Sequence, residues 1–387
     1  MTSSRPTAPA QGAPRPASSA PAGGASTGRL VGLDLARGLA IIGMFVAHLG
    51  ADGPGGARNP EWFVVADGRS ASLFALLAGV SLALGSGRER VPSGPRLAHA
   101  RLTTLVRAAI LLPLGWFLTA LGTPVAVILH AYAVLFLLAM PFLGLRRRRL
   151  LTGAAVTAVV GPTLMALLVM PVAGAPSLVS RLAGAPATGT VRLPGDELVT
   201  GYYPAVVFLA YVLVGLAVGR SDLTRLRTQV GLLGAGGGLA ALAWGTSRLA
   251  LDAVGPGASP LVRQLLSGKA HDDATLEVLG NTGTAMAVIG LFLLLTRPGT
   301  PGRVVAAALG PLAAAGAMSL SVYTVQIVAI FVMGDQVVRD VTSNAVLAWF
   351  VVLFLAGAWL WRRLVGRGPL ERALHGAATA VAGPRPV

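Results

Sequence analysis

The chain has 387 residues, of which 54% are hydrophobic and 12% charged, with a net charge of +16 and no cysteine. A soluble domain carries about a quarter charged residues, so this balance excludes an ordinary soluble protein and points to a polytopic membrane protein; the missing cysteine excludes disulfides, thiolate metal sites and a cysteine nucleophile. The excess charge is arginine, against the single Lys269, and it falls in short clusters between apolar runs, so membrane topology explains it and no nucleic acid partner is expected.

In chain order, residues 1–28 are Ala, Pro, Ser and Gly with two arginines, too poor in large apolar groups to fold, and read as a disordered cytoplasmic tail. About ten apolar segments follow, each near the ~20 residues that a bilayer requires. They are 33–50, 68–86, 102–121, 124–143, 150–173, 201–219, 230–253, 274–296, 306–333 and 345–362, the ninth long enough to be tilted or preceded by a surface turn. The fold class expected is therefore all-α, a polytopic integral membrane protein of about ten transmembrane helices. The membrane domain runs over 29–372, and 373–387 reads as a cytoplasmic tail. Glycine-rich helix surfaces permit a homodimer.

Arg29, the group Arg88/Arg90/Arg96/Arg101, Arg146 to Arg149, Arg220/Arg225/Arg227, Arg297/Arg303 and Arg362/Arg363/Arg367/Arg372 all fall on one side of a ten-span chain. The acids Asp52, Glu61, Asp67, Asp196, Glu197, Asp272, Asp273, Asp335 and Asp340 fall on the other. The positive-inside rule then makes both termini cytoplasmic in a multi-pass plasma-membrane protein.

Ionisable groups inside spans cost several kcal/mol unless paired or hydrated, so each is a candidate for function. In LDLARGLAIIGMFVAH, Arg37 and His48 are eleven residues apart. At ~100° per residue they share a helix face, about 16 Å apart along its axis. Asp34 lies one turn before Arg37 and can pair with it. The bland alternative is a helix-end ion pair and an interfacial histidine. His130 sits mid-span beside Tyr132, as a cavity group or a packing residue. Asp67 and Arg69 open the second span. The run HDDATLEVLGNTG places His271, Asp272, Asp273 and Glu277 at the outer end of the eighth span. It lacks the HxxH or HxxxH spacing of a metal site, so no metal is expected. Ser319, Tyr323 and Gln326 make a polar stripe in the ninth segment, read as inter-helix hydrogen bonding.

The opening stretch resembles the first-helix motif of type-3 acyltransferases, an arginine, ten residues and a histidine. ADGRSASLFALLAGVSLAL (66–84) is similar to the second-helix pattern of a neighbouring branch. That branch comprises the bacterial YeiB-like family of unknown function and the heparan-α-glucosaminide N-acetyltransferase catalytic family. GAMSLSVYTVQ (316–326) resembles its late G-R-M-x-L-T-x-Y-x-x-Q segment, with Ala317 and Ser321 in place of arginine and threonine. GPLE (368–371), after Trp361 and Arg363, is similar to its C-terminal signature.

The resemblance implies acetyl-CoA or another acyl-CoA as donor on the cytoplasmic side. It implies a small-molecule or carbohydrate acceptor, often a sugar, on the other. The acetyltransferase of that branch has its catalytic histidine in the first outer loop, where this chain reads ARNPEWFVVAD and has none. The expected assignment is thus His48 as base or acyl carrier, with Asp67 or Asp52 orienting it. Arg37, with Arg101 and Arg107, would hold the anionic donor, since guanidinium bonds two phosphate oxygens at once. Asp34, His130, His271 and Glu277 are further candidates. A transporter or lipid-handling protein could use the same polar stripe as a pathway, although two similar halves are not found. A catalytically silent scaffold is the third reading.

Overall fold

A computed structural model describes residues 29–50, 66–169, 202–339, 343–384 and 386. Asp52, Glu61, Trp62, Asp196, Glu197, Asp340 and the 1–28 tail lie outside the described residues. Every regular element among the described residues is a helix. In chain order these are α1 Val31–Leu49, α2 Arg69–Ser86, α3 Gly94–Ala120 and α4 Leu129–Ala139, which a short 3-10 turn extends to Gly144. Then come α5 Arg147–Val169, α6 Ala205–Gly219, α7 Leu226–Val254, α8 Pro260–Leu266 and α9 Thr275–Leu295. The last group is α10 Thr300–Ala308, α11 Gly310–Ala317, α12 Ser319–Met333, α13 Gln336–Arg339, α14 Ala345–Leu364 and α15 Pro369–Ala382.

Each of the ten apolar segments of the sequence contains a helix among its described residues. Seven helices among the described residues (α1, α2, α3, α5, α7, α9 and α14) are long and apolar enough to cross a membrane, and α11 with α12 adds an eighth if that bent pair is one span. The segments at α4 and α6 are shorter apolar helices. Outward faces carry large apolar side chains, among them Val156, Val159 and Val160 on α5, Leu242 and Leu249 on α7, and Trp349 and Leu353 on α14. Apolar surface on that scale suits lipid and not water. The protein is a polytopic helical membrane protein.

Small residues decide which helices meet. α2 packs on α6 and α7 on α9, and α1 touches α2, α9, α11 and α14. A Cβ on Gly215 would lie 1.9 Å from the Leu76 carbonyl oxygen, and one on Gly79 would lie 2.1 Å from that of Val212. Backbones at this separation leave no room for a side chain, which is how membrane helices gain contact without a hydrophobic drive.

The ninth segment differs from a single span. It is cut into α10, α11 and α12, and the last two meet at 87°. The Glu371 carboxylate of α15 explains the break. Its Oε1 accepts the N–H groups of Leu320 (2.8 Å) and Ser321 (3.1 Å), and its Oε2 accepts the Ser321 hydroxyl. An unbroken helix would give those two N–H groups to Gly316 and Ala317. A carboxylate on the first N–H groups of α12 also suits the helix dipole. The GPLE and GAMSLS stretches, far apart in sequence, are thus one joint. Residues 373–382, read as tail, continue α15.

Candidate active site

Two cavities lie along α1, one at its Arg37 end and one at its His48 end. The first has a volume of about 270 Å³ and is walled mainly by apolar groups such as Phe74, Leu77, Leu111 and Leu129, with Arg37, Ser81, Arg107, Ser319 and Glu371 among its polar members. Arg37 is held inside it. Its Nη1 donates to Asp34 Oδ1 at 2.8 Å and its Nη2 to Ser81 Oγ at 3.1 Å. Asp34 itself is buried. Arg107 is half-buried on the same wall, whereas Arg101, two turns earlier on α3, is exposed and does not line the cavity.

The second cavity, about 160 Å³, is lined by His48, Asp67, Tyr202, Tyr203 and His271. His48 Nδ1 accepts from the Gln326 side-chain amide at 2.7 Å. His271 Nε2 lies 2.8 Å from Asp67 Oδ1 and donates to it. A partner on one ring nitrogen fixes the role of the other. With Nδ1 accepting, neutral His48 carries its proton on Nε2 and can only donate there. With Nε2 donating to a carboxylate, His271 keeps the Nδ1 lone pair and can act as a base.

Glu277, buried at the start of α9, holds the His271 segment in place. Its carboxylate accepts the backbone N–H groups of His271 (3.0 Å) and Asp273 (2.7 Å) and the side-chain amide of Asn281 (3.2 Å). His271 and Asp273 sit at φ 66° and 50°, a left-handed backbone that non-glycine residues adopt only when held there. Arg69 lies over the Trp244 ring, 4.6 Å from its centroid. His130 lines neither cavity; its backbone backs onto Gly115 of α3, where a Cβ would come within 2.4 Å of the His130 nitrogen. No group of three His, Asp or Glu arranged to hold a metal occurs among the described residues.

The cavities stand back to back. On α2, Ala71 lines the second and Phe74 the first; Ala126, just before α4, lines the second and Leu129, the first residue of α4, lines the first. On α12, Tyr323 lines the first cavity and Gln326, three residues on, bonds His48 of the second. Three residues along a helix are about 5 Å. The dividing wall includes Tyr323, whose hydroxyl accepts the Ile128 N–H at 3.0 Å.

Electrostatics at the second cavity make a pH prediction. The hydrogen bond to Asp67 raises His271 above the usual imidazole value, and burial beside Glu277 pushes Asp273 up to about 7. Both groups bind protons more tightly folded than unfolded. Their contribution to stability is present in acid and is lost as pH rises, for Asp273 from its ordinary value near 4 up to about 7 and for His271 above 6.5. The melting temperature of the purified protein should therefore fall between pH 5 and 8. Asp273→Asn should flatten the lower part of that slope, and wild-type and variant curves of equal slope would refute the assignment.

Sequence reasoning brought Arg37, Arg107, His48, Asp67 and His271 forward but did not join His271 to Asp67. Ser81 and the Glu371 joint were missed. The polar pattern Ser319–Tyr323–Gln326 was the signal for the inter-helix bonds, and two of those three residues make them.

No curated protein matches the chain. Residues 239–380 match the family described as protein of unknown function (DUF418), the YeiB-like branch. Residues 29–251, more than half of the chain, match heparan-alpha-glucosaminide N-acetyltransferase, catalytic, and with Arg37, His48 and Asp67 inside that span the protein belongs to this transmembrane acetyltransferase family.

Proposed function

We propose that the protein moves an acyl group, acetyl in the first instance, from cytoplasmic acyl-CoA to an amine or hydroxyl acceptor such as a sugar or glycolipid outside. In this reading the chain crosses the plasma membrane about ten times with both termini in the cytoplasm, which the arginine distribution supports. The observation that carries this reading is the pair of cavities set back to back, about one helical turn apart, with guanidinium groups in one and a carboxylate-held imidazole in the other.

The cavity at Arg37 takes the acyl-pantetheine arm. Its ~270 Å³ falls below the roughly 300–1,000 Å³ of sites that enclose drug-sized ligands, so it holds an arm of the donor and not the whole of it. The thioester lies against the Tyr323 wall and the acceptor enters beside His271. His271 Nδ1 takes the proton of the acceptor as its oxygen or nitrogen attacks the thioester carbonyl carbon. Asp67 stabilises the imidazolium that results. His48, its Nδ1 accepting from Gln326, donates from Nε2–H to the oxygen on which negative charge develops. The C–S bond then breaks, and the thiolate takes up the proton. His271 thus supplies the imidazole that the first outer loop lacks.

The test is acetyl-CoA binding to the detergent-purified protein, followed by transfer of labelled acetyl to amino sugars. Arg37→Ala should weaken binding about tenfold or more, since charge-assisted hydrogen bonds contribute about 1.5–3 kcal/mol. His48→Ala should bind as wild type does. Absence of acyl-CoA binding at any chain length would overturn the reading.

A further inference from the structure

Beyond the donor and acceptor cavities, a third cavity of about 300 Å³ lies at the turn between α2 and α3 and is mainly polar. Ser86, Gly87, Arg90, Ser93 and Arg96 line it. Neither Arg90 nor Arg96 makes an ion pair among the described residues, and both are exposed. Ser93 precedes α3, and no side chain caps the first N–H groups of that helix. Those groups and the dipole behind them favour an anion.

A third guanidinium stands behind the wall. Arg220 is 6% exposed and donates to the Arg88 carbonyl (2.8 Å), the Ser86 hydroxyl (3.0 Å) and the Leu143 carbonyl (2.8 Å). All three partners are neutral, and its Nε is buried with no hydrogen bond. A buried cation answered only by dipoles leaves net positive potential at Ser86 and Gly87, on the cavity wall. It also fixes the strained turn that shapes that wall, where Gly87 has φ 140° and Arg88 φ 57°.

Position adds a second argument. Arg96 and Arg107 are eleven residues apart on α3, so they share one face and lie about 16 Å apart along it. Arg107 lines the donor cavity and Arg96 lines this one. An arm that starts in one can end in the other.

We propose that the Ser86–Arg90–Ser93–Arg96 cavity binds the phosphate of a phosphate-bearing ligand. The chemistry fits two sources, the phosphates at the nucleotide end of the acyl-CoA donor and the headgroup of an anionic lipid. The first source rests on the acyltransferase reading and the second does not. Full-length protein and its Arg90→Ala/Arg96→Ala variant are titrated with CoA, dephospho-CoA and acetyl-pantetheine in detergent. Both proteins are also melted in nanodiscs of phosphatidylcholine with and without phosphatidylglycerol. Both arginines are exposed, so folding is retained, which the melting curve checks.

If the donor is the source, the variant loses tenfold or more in CoA affinity while acetyl-pantetheine binds unchanged, and wild type prefers CoA to dephospho-CoA only if the 3′-phosphate is the group held. If lipid is the source, CoA affinity is unchanged and the stabilisation by phosphatidylglycerol disappears in the variant. A variant that matches wild type in both arms overturns the proposal. Wild type that binds no CoA at all sinks the acyltransferase reading instead, and the lipid arm alone then decides this one.

Discussion

His271→Ala lowers the rate of acyl transfer by about 10²–10⁴-fold, the range that a positioned general base supplies, and leaves acetyl-CoA affinity as it was. The basis is the tautomer. Asp67 fixes the proton on His271 Nε2 and frees Nδ1, whereas the Gln326 amide occupies Nδ1 of His48. The readout that separates a base from a structural residue is the pH profile. The Asp67 hydrogen bond holds His271 above 6.5, so the acid limb of kcat/KM sits above that value, because the base must be neutral to act. Asp67→Asn moves the limb down and cuts the rate, while His48→Ala leaves its position alone. A His271→Ala enzyme with normal turnover beside a dead His48→Ala enzyme would return the role of base to the first helix.

Gly316→Leu unfolds or strongly destabilises the protein. A Cβ at this position would lie 1.8 Å from the Asp34 carbonyl oxygen and 2.5 Å from the Gly38 nitrogen, both backbone atoms of α1. Nothing flexible can yield, so α11 must lift off α1 and carry with it the wall of the Arg37 cavity. Overpacking typically costs about 1–3 kcal/mol and occasionally more, and a clash with backbone belongs at the upper end. Gly316→Ala should show the same effect at smaller size, read as a lower melting temperature in detergent with weakened acetyl-CoA binding. Gly376→Ala is the control, since a Cβ there meets nothing within 4 Å. Equal melting temperatures for Gly316→Ala and Gly376→Ala would show that this contact does not hold α1.

What could be read from the residues followed from periods and charges that act locally. Apolar segments near bilayer length located the helices, and the eleven-residue Arg37–His48 spacing placed two groups on one face of α1 because a helix fixes that relation by itself. The bend at α11–α12 was not legible. It depends on Glu371, fifty residues away, taking N–H groups that local propensity assigns to the helix. The Asp67–His271 bond spans 204 residues and needs the backbone of 271–273 in a left-handed form that histidine and aspartate do not signal. Arg101 shows the converse. It lies near the others in sequence, and yet it stands out of the cavity that Arg107 enters.

The joint at Glu371 bears on how the gene could be divided. The acetyltransferase match stops at 251 and the match of unknown function begins at 239, which invites treating them as two modules. The chain ignores that boundary. His271, Gln326, Tyr323 and Glu371 come from the second half, and Arg37, His48, Asp67 and Arg107 from the first. A chimera cut near 251 would therefore exchange half of the lining of these cavities for a stranger's half, and natural variation in the two halves should be correlated.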